Sequence, residues 1–144
     1  MSDDTKVHGH CLCKQVAFTM DAPKHLDACH CTDCRRFGGG PFIGLDFAPV
    51  EFSEDRGLRW YRSSDWAERG FCGNCGSSLF YRIVANPEQI GVMSGAIVAL
   101  PEGLEMTKEF FIDRKPDYYA LEGERTRLTA AEVFEMFESL EAQQ

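Results

Sequence analysis

The sequence lacks an excess of positive charge, a long apolar run and an even number of cysteines. Its 15 lysines and arginines are outnumbered by 23 aspartates and glutamates, which gives a formal net charge of −8. A chain this acidic has no overall attraction for the phosphates of nucleic acid or for an anionic lipid surface. We therefore expect neither nucleic acid nor a membrane among its partners.

Apolar runs are short throughout the 144 residues. The opening residues 1–6 are polar, unlike the apolar centre of a signal peptide, and no stretch has the roughly 20 apolar residues of a membrane-spanning helix. The sequence thus predicts a cytoplasmic protein, in which thiols stay reduced and closely spaced cysteines are metal ligands or catalytic groups. Seven cysteines cannot all pair within one chain in any case.

Short segments of alternating polar and apolar residues fill the first three-quarters of the chain, as in half-buried strands. We predict strands at about 15–20, 41–47, 58–61, 78–81, 89–93 and 109–112. The length and the 44% of hydrophobic residues suit a single domain. The sequence therefore predicts a mainly β fold, a single small domain of short β-strands.

The end of the chain has a different pattern. Thr129 and Glu132 have the spacing of a capping box, which marks the start of a helix. The residues behind them form a broad apolar helical face, made of Val133, Phe134, Met136, Phe137 and Leu140. We predict a C-terminal helix over about 129–142.

The cysteines form three clusters with the spacing of metal ligands. They are Cys11-Leu12-Cys13, then Cys29-His30-Cys31-Thr32-Asp33-Cys34, then Cys72-Gly73-Asn74-Cys75. Thiolates at such spacings suit tetrahedral zinc, with sulfur about 2.3 Å from the ion. A redox pair at Cys72 and Cys75 would normally open a helix, whereas a strand-like run follows here. An alternative interpretation of Cys11 and Cys13 is that they are buried thiols of the hydrophobic core and bind no metal.

Seven thiolates divide naturally into four and three. Four ligands close a structural zinc site, whereas three leave a position open for water or substrate, as in catalytic sites. The spacing allows Cys11 and Cys13 to share an ion with the pair Cys72 and Cys75. It equally allows that pair to form a four-cysteine site with Cys29 and Cys31. His30 would point away from its neighbours in an extended segment, so we do not expect it to be a ligand.

The three cysteine motifs, with their flanking residues, resemble those of one known family. The segments Gly9–Val16, Cys29–Arg36 and Phe71–Ser77 are similar, in this order, to the glutathione-dependent formaldehyde-activating enzyme family, also called the centromere protein V family. The resemblance extends over about 7–119 and includes the later segment Phe111–Tyr119. It implies short strands around two zinc sites, similar to a small zinc-bearing chaperone of Rab GTPases.

The resemblance also implies how the cysteines divide. By motif position, the structural zinc ligands are Cys11, Cys13, Cys72 and Cys75, and the catalytic zinc ligands are Cys29, Cys31 and Cys34. Two Zn²⁺ per chain follow, and the implied partner is a small-molecule thiol such as glutathione. The implied activity is carbon–sulfur lyase chemistry on glutathione adducts, such as formation or cleavage of S-hydroxymethylglutathione.

An anionic zinc-thiolate site needs local positive charge to accept another thiolate. Arg35 and Arg36 directly follow Cys34, and an arginine side chain can also bind a glutathione carboxylate through two hydrogen bonds. We predict that at least one of them binds glutathione or offsets the charge of the zinc-thiolate site. The alternative interpretation of the whole sequence is a non-catalytic zinc module that presents a surface to a protein partner.

Overall fold

The computed structural model describes residues 5–142, and the side chains of this range as far as residue 139. Short strands dominate these residues, and a helix follows the last of them. The strands are β1 (Lys6–His10), β2 (Ala17–Asp21), β3 (His25–Cys29), β4 (Phe42–Leu45), β5 (Val50–Glu54), β6 (Leu58–Arg62), β7 (Ala67–Cys72), β8 (Ser78–Ile83), β9 (Ile90–Val92), β10 (Glu105–Phe110) and β11 (Thr126–Leu128). The α-helices are α1 (Thr32–Gly38) and α2 (Ala130–Ala142), with 3₁₀ helices at Ser94–Ala96 and Ile112–Arg114.

The residues group into two compact units. The first takes in the chain up to Leu26 together with Gly44–Glu105, and the second takes in Asp27–Ile43 together with the chain from Met106 onward. Because each unit combines segments that are distant in sequence, contacts between distant segments hold each of them together.

The first unit contains two antiparallel sheets, with strand orders β1-β2-β5 and β6-β7-β8-β9. Alternate residues of β2 are buried because successive side chains of a strand point to opposite faces. Phe18 lies at the centre of the core, with its ring edge-on to Phe80 at a centroid distance of 5.2 Å. The core also contains Val7, Val16, Met20, Leu45, Leu79, Ile90, Val92 and Ile97.

The second unit is organised by the sheet β11-β10-β3-β4, in which β10 and β11 run parallel. Helix α1 follows β3 after two residues and is only seven residues long. Helix α2 begins with the predicted capping box, since the Thr129 amide donates to Glu132 Oε1 at 3.0 Å and Glu132 N donates to Thr129 Oγ1 at 3.3 Å. Asp113 adds a second cap by accepting from Ala130 N at 2.9 Å.

The predicted fold class is confirmed, namely a mainly β protein with a C-terminal helix. One strand was placed wrongly, because β10 ends at Phe110 and does not continue to Ile112. Phe111 has a left-handed backbone with φ 58°, which lies outside the extended region of a regular strand, and a 3₁₀ turn follows it.

The predicted apolar face of α2 is only partly buried. Val133 is buried, whereas Phe134 and Phe137 are exposed, although the Phe134 ring meets the Phe111 ring at 5.6 Å. The side chain of Leu140 lies outside the described residues. Among residues 5–142, no helix is both long enough and apolar enough to cross a membrane.

Candidate metal centres

Four cysteine sulfurs of the first unit come together. The ligand atoms of Cys11, Cys13, Cys72 and Cys75 all lie within 4.8 Å of one another. Cys13 Sγ is 3.7 Å from both Cys11 Sγ and Cys72 Sγ. Sulfurs bound at 2.3 Å to a tetrahedral zinc ion lie about 3.8 Å apart, so this spacing fits a zinc ion at the centre. The grouping is the one that the family resemblance implied.

Two tight turns present these sulfurs. Cys11 and Cys72 each donate their amide to a carbonyl five residues later, on Val16 and Ser77, at 3.0 Å. Each turn contains one residue with a left-handed backbone, Lys14 at φ 67° and Gly76 at φ 81°. Glycine adopts this conformation without strain, whereas lysine does so at a cost.

Hydrogen bonds favour the thiolate form of two of these four sulfurs, and the thiolate is the form that binds a cation. The Ser77 hydroxyl, 3.2 Å from Cys75 Sγ, lowers the pKa of Cys75 to about 5. The Asn74 amide donates to Cys13 Sγ at 3.2 Å and lowers the pKa of Cys13. Burial raises the pKa of Cys11 to about 11. A divalent ion would offset this last effect, because a metal favours the thiolate over the thiol.

Three sulfurs of the second unit form a separate group. The ligand atoms of Cys29, Cys31 and Cys34 lie within 4.8 Å of one another, and in the described residues no histidine or carboxylate joins them. Hydrogen bonding to Cys31, then to Cys34, and then burial raise the pKa of Cys29 well above its usual range. A thiolate in this group would lie close to two other sulfurs. A bound cation is therefore needed for all three thiols to ionise.

Backbone structure sets the spacing of the three cysteines. Cys29 ends β3, Cys31 is the N-cap of α1, and Cys34 lies in the first turn of that helix. The amide of Cys34 donates to Cys31 Sγ at 3.3 Å, as an N-cap side chain requires. Helix α1 is capped by Gly39, whose left-handed backbone lets its amide donate to Arg35 O at 2.7 Å. Gly39 is therefore an ordinary C-terminal cap of a helix.

His30 is fully buried and turned away from the sulfurs, as the alternation of an extended segment predicted. Its Nε2 lies 2.8 Å from Glu109 Oε1, and its Nδ1 lies 2.7 Å from the Tyr119 hydroxyl. Both ring nitrogens are therefore engaged, which leaves neither of them to bind a metal.

Glu109 is the centre of a buried ionic network. Its second oxygen lies 2.6 Å from Arg125 Nη1 and 2.9 Å from Arg127 Nε, while the carboxylate itself is 1% exposed. Burial by itself would raise the pKa of Glu109, but hydrogen bonds from Arg125, His30 and Arg127 outweigh it and lower that pKa. The carboxylate is therefore held in its charged form.

The two predicted glutathione-binding arginines differ in their surroundings. The Arg35 side chain is half-buried and donates from Nε to the carbonyl of His30 at 3.2 Å, so it folds back along the cysteine segment. Arg36 is exposed. No ligand tests either assignment, and both stay predictions.

Sequence reasoning missed Glu109, Tyr119, Arg125 and Arg127. One signal was present, since Glu109 was a charged residue within a predicted strand that was otherwise apolar. A charged side chain in a strand must either face solvent or pair with a buried partner, and Glu109 has buried partners.

Known proteins resemble this chain over most of its length. The family model described as glutathione-dependent formaldehyde-activating enzyme matches residues 6–114. A protein of Schizosaccharomyces pombe named as an uncharacterized lyase is 30% identical over 128 residues, which cover 87% of this chain and 92% of that protein. A crystal structure of a Rhodobacter sphaeroides protein is 20% identical with a TM-score of 0.51, and the match covers 69% of this chain and 99% of that one. This last likeness concerns the fold alone.

Proposed function

Because this chain belongs to the glutathione-dependent formaldehyde-activating enzyme family, we propose that it is a zinc-dependent carbon–sulfur lyase that acts on glutathione adducts. The reaction is formation or cleavage of S-hydroxymethylglutathione or of a related adduct. The observation that carries the proposal is the separate group of three sulfurs, from Cys29, Cys31 and Cys34. The relative that is named a lyase supports the same reaction class.

The two cysteine groups have different roles in this proposal. The four sulfurs of the first group saturate a tetrahedral ion and leave no position for a substrate, which is the pattern of a structural zinc. The three sulfurs of the second group leave one position open. When bound there, zinc would supply a soft Lewis acid that holds the sulfur of a thiol substrate as a thiolate at neutral pH.

The residues of the chain provide the rest of the site. Cys31 and Cys34 are fixed by the first turn of α1, which sets the spacing of their sulfurs. Because both nitrogens of His30 are hydrogen-bonded, the His30 imidazole does not compete with the substrate for the open position. This argues against a form of the interaction module in which His30 would be the fourth ligand, whereas the forms with water or with nothing at that position are left to the activity assay.

Arg35 is the residue that we assign to the glutathione carboxylates, with Arg36 as a second candidate. Arg35 is half-buried beside the cysteine segment, where its charge offsets that of an anionic site and an anionic substrate. Both residues are on α1, the helix that also carries Cys34.

Metal analysis combined with an activity assay tests the proposal. Protein purified without chelator should contain two zinc ions per chain and should accelerate the exchange between glutathione and its formaldehyde adduct, measured by exchange NMR. The same assay with higher aldehydes in place of formaldehyde shows which glutathione adduct the protein acts on. A zinc-loaded protein that accelerates exchange with none of them would rule out this function.

A further inference from the structure

The C-terminal helix α2 exposes two phenylalanines on neighbouring turns. Phe134 is 48% exposed and Phe137 is 40% exposed, and their spacing of three residues makes them neighbours on the helix surface. Ala130 and Val133 form the buried side of the helix, so the two phenylalanines are not needed to fill the core. A pair of adjacent large apolar side chains at a surface is typical of a contact site, whereas a single one requires no explanation.

The charges of α2 all have the same sign. Residues 130–142 contain a glutamate at every third position from Glu132 onward, and they contain no lysine or arginine. Glutamates at this spacing are neighbours on the helix and repel each other, and the last turn has no basic residue that would interact favourably with the helix dipole. These charges therefore reduce the stability of the helix that carries them.

Two of these glutamates lie next to the phenylalanines. Glu138 is four residues after Phe134, and Glu135 is three residues before Glu138, so the two carboxylates form a row beside the two rings. Both glutamates are exposed, and none of the ion pairs between the described residues includes either of them. We call Phe134, Phe137, Glu135 and Glu138 the acidic aromatic face of α2.

Charge complementarity determines what can cover the acidic aromatic face. A second copy of this chain would bring the same carboxylates together, and its formal net charge of −8 adds to the repulsion. An anionic lipid surface is unfavourable for the same reason. The complementary structure is an apolar stripe flanked by lysines or arginines, which is the pattern of a basic amphipathic helix.

We propose that the acidic aromatic face of α2 is a docking site for a basic amphipathic helix of another protein. Apolar side chains of that helix cover Phe134 and Phe137, and its basic side chains pair with Glu135 and Glu138. The site is separate from the lyase reaction, since it uses neither of the two cysteine groups and no glutathione.

A peptide of leucine and lysine, with all leucines on one helical face, is the probe for this site. Fluorescence anisotropy of the labelled peptide, titrated with the zinc-loaded full chain, measures its affinity. Phe137→Gln should weaken binding about tenfold, because the ring no longer buries apolar surface in the complex. Leu100→Gln is the matched control, since Leu100 is 46% exposed but lies in the first unit, and it should leave the affinity unchanged. Circular dichroism should show both variants folded.

The double variant Glu135→Gln with Glu138→Gln separates binding from stability. It should weaken peptide binding about fivefold, because two exposed ion pairs are lost. It should also raise the thermal midpoint, because the repulsion within the helix is relieved. Glu102→Gln with Glu105→Gln removes two exposed charges of the first unit and should do neither at physiological salt, where charges more than about 8 Å apart are largely screened.

The proposal fails if the wild type and Phe137→Gln bind the peptide equally, or if the two double variants lose the same affinity. Equal binding of a peptide with the same composition in scrambled order would overturn it too, since charge alone would then explain the binding. A lower thermal midpoint after replacement of Glu135 and Glu138 would assign these residues a structural role instead. A dimer in sedimentation that Phe137→Gln dissociates would show that a second copy covers the face. Each of these results leaves the lyase function untouched.

Discussion

The Nε2 atom of His30 lies 2.8 Å from Oε1 of Glu109, although 79 positions separate the two residues in the sequence. The contact ties the segment between two candidate zinc ligands to the strand β10. Because Glu109 also binds two arginines from the region around β11, one buried carboxylate joins three segments of the second unit.

Removal of the Glu109 charge should destabilise the protein strongly. Glu109→Gln leaves the buried guanidinium of Arg125 without its counter-ion, which typically costs about 3–5 kcal/mol of unfolding free energy. Glu124→Gln is the matched control, since Glu124 also pairs with Arg127 but is 99% exposed. Urea unfolding at neutral pH should show the loss for the first variant and no measurable change for the second. Equal stability of both variants would contradict the role of this network.

The same carboxylate predicts a pH dependence. Its pKa in the folded protein is lowered from 4.5, so its stabilisation is fully present above that pH and is lost as the pH falls through the lower, folded pKa. The difference in unfolding free energy between the wild type and Glu109→Gln should therefore shrink progressively below about pH 4.5. A difference that stays constant or grows in acid would show that the carboxylate pKa is not lowered.

Loss of one ligand should affect the two metal centres differently. Cys75→Ser should unfold or aggregate the protein, because a structural zinc contributes roughly 10–16 kcal/mol in small zinc domains. Cys34→Ser should stay folded, with one zinc per chain and no activity. Circular dichroism and elemental analysis on both variants measure this. Equal loss of structure in the two variants would refute the division into structural and catalytic sites.

Gly76, the left-handed residue of the turn that carries Cys72 and Cys75, provides a test of backbone strain alone. Gly76 has φ 81° and open space where a Cβ would be, so Gly76→Ala should cost about 1–2 kcal/mol through its backbone conformation. Gly95 also faces open space but has no positive φ, so Gly95→Ala should be neutral or slightly stabilising. Thermal unfolding of the zinc-loaded variants distinguishes the two. A neutral Gly76→Ala would mean that this turn tolerates another conformation.

How much of this could be predicted depended on how far apart the interacting residues are in the sequence. The capping box of α2 joins Thr129 to Glu132, and such local contacts follow from a short pattern. The cysteine motifs are equally local, although their grouping into four and three needed a known family, since spacing alone left another pairing open. The bonds of Glu109 to His30 and Arg125 join segments far apart in sequence, and no pattern in one segment indicates its partner in another.

Two sequence predictions await experiment. A single domain predicts one cooperative unfolding transition of the zinc-loaded protein in calorimetry. The assignment of Arg35 and Arg36 predicts that replacing at least one of them with Ala weakens glutathione binding by about 1.5–3 kcal/mol, the usual strength of a hydrogen bond to a charged group. Zinc content should not change. Unchanged affinity in the double variant would place the anion-binding residues elsewhere.

The central claim is that the three-cysteine site binds its substrate through the substrate's own sulfur. Calorimetric titration of zinc-loaded protein with glutathione, and with an analogue that has a methyl group in place of the thiol, measures this directly. Both ligands carry the same carboxylates, so contacts with arginine are common to them. The account predicts saturable binding of glutathione to the wild type, and no detectable heat with the analogue or with glutathione added to Cys34→Ser. Equal affinity of the wild type for both ligands would contradict it.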